Sequence, residues 1–244
     1  MPTTHWSLVL EARDGAGPSA RRALEYLCQT YWVPLYAYAR LKGSSRQTAQ
    51  DLVQGFFALF LEKEVIRHAH AEHGRFRDFL LASFRNFTAN EWDRQTALKR
   101  GGEFKIISLD RPDVLRQVEA SLHSDGSPEE VYQREWAFAL LRRARARLAD
   151  EIDKPAAKNR FVLLEAFLDT DSSRVPYAEL SEQSGISVTA LRVSVHRLRK
   201  RYRDLVYDEL SRTVPSDSDI HQELADLFAA LEYKTLPFQP SISR

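Results

Sequence analysis

Apolar residues recur along most of the chain with a helical period. The clearest run is Ala49, Leu52, Val53, Phe56, Phe57, Phe60 and Leu61, which fall at i, i+3, i+4, i+7, i+8, i+11 and i+12. That spacing predicts an amphipathic helix over 45–64. Gln50, Asp51, Gln54 and Glu62 lie off the apolar stripe. Residues 19–41 read as a helix entered by Pro18 and ended near Gly43, with Pro34 expected to kink or break it. Residues 75–97 read as another, with Phe76, Phe79, Leu80, Phe84 and Phe87 inward. Between these helices, His68 to Gly74 reads as a loop.

Gly101-Gly102 ends the periodicity, and residues 101–126 read as a linker with a short helix around 114–122. Order restarts at Ser127-Pro128-Glu129-Glu130, where Ser127 can cap, Pro128 suits the first helical position and Glu130 completes a capping box. Helices are then expected to about Ala149, from Pro155 to Leu168 with Ala157, Phe161, Leu164 and Leu168 in register, as a pair within 176–210, and over 217–232. The resulting division is 1–100, a linker 101–126, 127–212, and an acidic extension 213–244.

Composition agrees with an all-α fold. Ala, Leu, Glu, Lys and Arg make 110 of the 244 residues, and Gly and Pro together only 19. Cys28 is the single cysteine, which excludes a disulfide framework and a cysteine zinc site. The longest apolar stretch is far short of the roughly 18 residues a membrane span needs. The N-terminus lacks a basic region before an apolar one. A soluble, cytoplasmic chain is therefore expected.

The net charge of +1 taken alone speaks against a nucleic-acid binder. Along the chain it separates into opposed blocks. Residues 75–105 sum to +3, and residues 192–203 hold six basic groups (Arg192, Arg197, Arg199, Lys200, Arg201 and Arg203) and no acid. Residues 204–244 sum to −5. A basic run by itself is as readily a solvated helix face.

The position of the +6 block changes that balance. Residues 177–188 read as helix, turn and helix start, with Gly185 supplying a left-handed stop and Ser187 a cap. Leu180, Ile186 and Leu191 would form the core between the two helices. This is helix-turn-helix spacing. The second helix would bury Val188, Leu191, Val195 and Leu198 and present Arg192, His196, Arg199 and Arg203. The strongest basic patch thus lies on the helix that such a motif places in the major groove.

A second patch mixes charge, amides and aromatics: Arg75, Arg77, Arg85, Asn86, Asn90, Trp92 and Arg94. Amides can bond base edges, aromatics can stack on unpaired bases and Arg can hold phosphates.

In order, these pieces resemble a sigma factor of the extracytoplasmic-function (ECF) group, in the bacterial sigma-70 family. The resemblance covers roughly residues 20–100 and 130–210. "AQDLVQGFFALFLEK" (49–63) is similar to family region 2.2. "GRFRDFLLASFRNFTANEWDR" (74–94) resembles regions 2.3 and 2.4, and "VPYAELSEQSGISVTALRVSVHRLRKRYRDL" (175–205) resembles region 4.2. The chain most resembles a subgroup with T-T-H-W-S near its start, here Thr3–Ser7, and an N-E-W-D-R stretch, here residues 90–94.

The resemblance implies a protein that is not an enzyme and uses no cofactor or metal. It implies two small helical domains, corresponding to sigma regions 2 and 4, joined by a linker. Asp51, Gln54 and Phe57 would meet the clamp helices of the polymerase β′ subunit, although the stripe offers Phe57 a core role instead. Asn86 and Asn90 would lie near the loop that captures a flipped minus-ten base, with Arg85 and Arg94 on the strand backbone. Thr189, on the same helix, Arg192, Val193, His196 and Arg197 would face the minus-thirty-five element. Arg199, Lys200, Arg201 and Arg203 would bind phosphates or the β flap. Ser184 stands where the family has a larger apolar residue. The implied partners are core RNA polymerase and promoter DNA, with room for an anti-sigma factor or other regulatory partner.

Other readings stay open. A helix-turn-helix regulator independent of polymerase would not need segments 49–63 and 75–94. A helical adaptor could offer its basic helix to an acidic protein. His68, His70 and His73, with Glu64 and Glu72, have a loose metal-ligand look, but their spacing defines no site. The acidic extension could screen the basic helix or pack as an amphipathic helix on the second domain.

Overall fold

The protein is seen in a computed structural model, which describes residues 6–97, 118–119, 126–152, 155–168, 174–214 and 217–231. The fold is all-α: among the described residues there are nine α-helices and no strand. They are α1 (Ser7–Asp14), α2 (Gly17–Leu41), α3 (Arg46–Leu61), α4 (Phe76–Ala97), α5 (Pro128–Asp150), α6 (Pro155–Leu164), α7 (Tyr177–Ser184), α8 (Val188–Ser211) and α9 (Asp217–Ala230). Short 3-10 turns follow α3 at Ile66–His68 and Ala71–His73, where a loop was expected, and follow α6 at Glu165–Phe167. Two compact units result: Met1–Ala139 with Leu210–Ala230, and Leu140–Glu209 with Leu231–Arg244. The division falls inside α5 and α8. Of the expected linker helix, only Val118 and Glu119 are described, and both are helical. Ala157, expected in register on α6, has its side chain outside the described set.

In the first unit the stripe of α3 buries Ala49, Val53, Phe56, Phe57 and Phe60. Phe56 meets Phe84 of α4 edge-on, with centroids 5.3 Å apart. Phe76 is the centre of a second aromatic group with Tyr31 and Phe60. Gly55 lets α4 approach, since a Cβ there would stand 3.2 Å from the Phe87 ring.

Helix α2 runs through Pro34 without interruption. Every residue from Tyr31 to Ala39 is buried, so the segment is enclosed on all sides. That burial offsets the hydrogen bond the proline cannot donate. Helix α1 was not foreseen. Trp6, just before it, is fully buried and edge-on to Phe76 at 6.2 Å. The Lys63 ammonium donates to the carbonyls of Arg13 and Gly15 at 3.2 and 2.7 Å, satisfying the end of α1. Thr3–His5 of the T-T-H-W-S stretch lie outside the described residues.

The capping box at α5 forms as expected. The Glu130 backbone N–H donates to Ser127 Oγ at 3.2 Å, and the Ser127 N–H donates to the Glu130 carboxylate at 2.7 Å.

The extension departs from one arrangement open to it, packing on the second domain. Helix α9 belongs to the first unit. Its Ile220 and Leu227 are buried, and its Glu223 and Asp226 meet the start of α4. The Arg77 guanidinium, almost fully buried, donates to Glu223 at 2.8 and 3.1 Å and to Asp226 at 2.7 Å. It also donates to Gln133 and lies 4.4 Å from the ring centroid of Trp136 on α5. Arg75 pairs with the same two carboxylates. Burial pushes the Glu223 carboxyl up, against the pull of Arg77 and Arg75. Burial would push Asp226 up as well, but its bonds from Gln222 and Arg75 carry it below the usual range.

Candidate nucleic-acid interface

In the second unit the helix-turn-helix is built from α7 and α8. Gly185 takes φ 68°, ψ 11°, and its N–H bonds the Ser181 carbonyl at 2.9 Å. That left-handed residue ends α7 and turns the chain. Ser187 caps α8, its Oγ accepting from the Ala190 N–H at 3.3 Å. Leu164, Val175, Leu180, Leu191 and Val195 form the core, with Ile186 and Leu198 packed on it. Ser184, the departure from the family pattern, bonds the Leu180 carbonyl through its hydroxyl at 2.5 Å. The polar group is thereby satisfied within the motif.

With Leu191 and Val195 inward, α8 presents Thr189, Arg192, Val193, His196, Arg197, Lys200, Arg201 and Arg203 outward. Thr189, Val193, His196, Arg197 and Lys200 recur three or four residues apart and make one strip. Val193 is 44% exposed on a helix that otherwise turns its valines inward. Arg192 lies over the Tyr177 ring at 5.5 Å. Arg201 donates to Glu151 at 2.7 Å and holds that carboxyl below its usual value.

Arg199 leaves the exposed set expected for it. It sits eight residues after Leu191 and four after Val195, so it falls at the edge of the buried seam. Its guanidinium donates to the Phe167 carbonyl at 3.0 and 2.7 Å, closing the 3-10 turn.

In the first unit α4 exposes Arg85, Asn86, Ala89 and Asn90 on one side. Arg94 belongs to α4, but its side chain, with those of Trp92 and Asp93, lies outside the described residues. Arg75 and Arg77 leave the expected phosphate-holding patch, because Glu223 and Asp226 hold them. On α3, Asp51 is exposed and accepts from Gln47 at 2.9 Å, and Gln54 is half-buried. Phe57 is 2% exposed and edge-on to Phe60, so the stripe's alternative of a core role holds and a surface contact does not.

Sequence reasoning missed a third charged site. The Arg40 guanidinium donates to Glu119 at 2.7 and 3.0 Å, and Arg46 stands 3.3 Å from the same carboxylate. Tyr36 donates its hydroxyl to Glu119 at 2.5 Å. Lys42 and Arg85 both approach Glu129, at 3.9 and 4.0 Å, and the Tyr38 hydroxyl lies 3.3 Å from it. The hydrogen bond from Arg40, helped by Tyr36, pulls the Glu119 carboxyl down to about 2. Arg40, Lys42 and Arg46 are scattered along 40–46 rather than forming a run, so no local signal marks them.

No group of His, Cys, Asp and Glu among the described residues could hold a metal ion. His68 accepts from Arg67, and His70 faces Arg13 at 3.4 Å. No described helix is long and apolar enough to cross a membrane. Comparison of the chain with protein-family models, with curated proteins and with solved structures finds no match.

Proposed function

We propose that this protein is a sigma factor of the ECF type, which directs core RNA polymerase to specific promoters and assists their opening. The observation that carries the reading is the strip Thr189, Val193, His196, Arg197 and Lys200, exposed on the helix after the Gly185 turn. An arginine fork reads guanine edges and holds phosphates, and an exposed valine fits a thymine methyl.

In this reading α8 enters the major groove of the minus-thirty-five element, with Arg192, Arg201 and Arg203 on the backbone. The Arg85, Asn86 and Asn90 side of α4 takes the opened minus-ten strand. Asp51 and Gln54 of α3 meet the β′ clamp. The protein works in the cytoplasm, carries no catalytic residue or cofactor of its own, and acts on the polymerase's chemistry. Two weak DNA modules gain avidity once a shared platform holds both. The near-neutral total charge keeps the free chain from coating DNA.

Run-off transcription with bacterial core enzyme on a genomic template library tests this. Promoter-dependent transcripts are expected, and their loss in Arg197→Ala. Sequence-specific DNA binding without co-elution with core polymerase would instead make the chain a polymerase-independent regulator. No promoter-dependent signal would sink the sigma reading.

A further inference from the structure

We propose that Arg40, Lys42, Arg46 and Arg85 form a track for the phosphates of single-stranded DNA, and that Glu119 and Glu129 occupy it in the free chain as an intramolecular latch. The timing of its opening, on engagement with promoter and polymerase, rests on the function proposed above. The track itself rests on the charges.

The first argument is imbalance. Four cations from the end of α2, the start of α3 and the middle of α4 converge on two carboxylates. Two positive charges stay uncompensated among the described residues of the site.

The second argument is geometry. Arg40 donates from Nε and one terminal nitrogen to the two oxygens of Glu119, the bidentate form that also fits a phosphate. The Tyr36 hydroxyl donates to one of those oxygens, Oε1. A phosphate in that place would find donors already aimed.

The third argument is strength and continuity. The Glu129 contacts are 3.9 and 4.0 Å long, and Lys42, Arg46 and Arg85 are each more than half exposed. Exposed pairs of this kind are weak and salt-screened, so a polyanion can displace them. Glu129 therefore yields first and Glu119 last. Arg85 continues directly into exposed Asn86 and Asn90, so the track leads to the amides assigned to the opened strand. Unpaired DNA is favoured over an acidic protein, because amides beside a phosphate track suit splayed bases.

The test is fluorescence anisotropy of the full chain with a labelled single-stranded oligonucleotide of about 20 nucleotides, across a salt series. Glu119→Gln with Glu129→Gln is expected to tighten binding on the order of tenfold at low salt. The salt slope should steepen by about 1.4, two phosphates at about 0.7 each. Adding Arg40→Ala and Arg46→Ala should abolish the gain. Unchanged affinity in the glutamine pair, or a gain that survives loss of both arginines, would overturn the latch. Should the glutamine pair fail to fold by circular dichroism, Arg46→Ala alone decides. It sits on the surface and must weaken strand binding of the otherwise native chain at low salt; no change overturns the proposal. Run-off transcription by the same proteins separates the two ideas. Tighter strand binding without transcription keeps the latch and loses the sigma reading, and transcription with unchanged strand binding does the reverse.

Discussion

The Arg77 guanidinium is a buried cation enclosed by Glu223, Asp226, Gln133 and the Trp136 ring. A buried pair adds little net stability, but removing one partner strands the other charge. Glu223→Ala is therefore expected to cost about 3–5 kcal/mol in urea unfolding. Glu119 makes a pH-dependent contribution. Its folded-state value of about 2 lies below the usual carboxylate value, so its stabilisation is complete above that usual value and fades as pH falls toward 2. Thermal melts of the native chain and Glu119→Gln should differ by about 1–2 kcal/mol at neutral pH, discounted for solvent screening. The gap should close between about pH 4.5 and pH 2.

At the scale of elements, the helix-turn-helix depends on one backbone conformation. Gly185 sits at φ 68°, with no atom within 4 Å of where a Cβ would stand. The cost of Gly185→Ala is thus conformational rather than steric, about 1 kcal/mol, and should appear as a lower melting midpoint of the second unit. Helix α2 presents the opposite case. Its proline is a strong local stop signal, yet enclosure by neighbouring helices keeps the segment helical. Helix α1 escaped the sequence reading because it is a single short element. Its stability comes from the buried Trp6 beside it and from Lys63 at its end. Neither is a local helix signal.

Across the whole molecule, α9 returns the end of the chain to the unit formed by its beginning. Deleting residues 213–244 would leave Arg75 and Arg77 without their carboxylates and uncover the apolar surface that packs on Ile220 and Leu227. The deletion is expected to destabilise the first unit by more than Glu223→Ala does, seen as a lower urea midpoint. The same deletion removes five acids against two bases and frees Arg75 and Arg77, so nonspecific duplex affinity is expected to rise at low salt. A rise that persists after Arg75→Ala in the deleted chain would revive a screening role for the acidic extension.

The sequence by itself determined the all-α class, the larger helices, the turn at Gly185 and the apolar seam of α8 that faces inward. These follow from the 3.6-residue period, from caps and from glycine, all of which act within a few residues. Tertiary structure decided which partner each face meets. Arg77 pairs with a residue 146 positions away, Arg40 with one 79 away, and Arg199 with a carbonyl 32 away. Periodicity says that a face is apolar or charged, but the fold chooses what lies opposite. For that reason the +3 block proved partly neutralised, while the strip on α8 remained open.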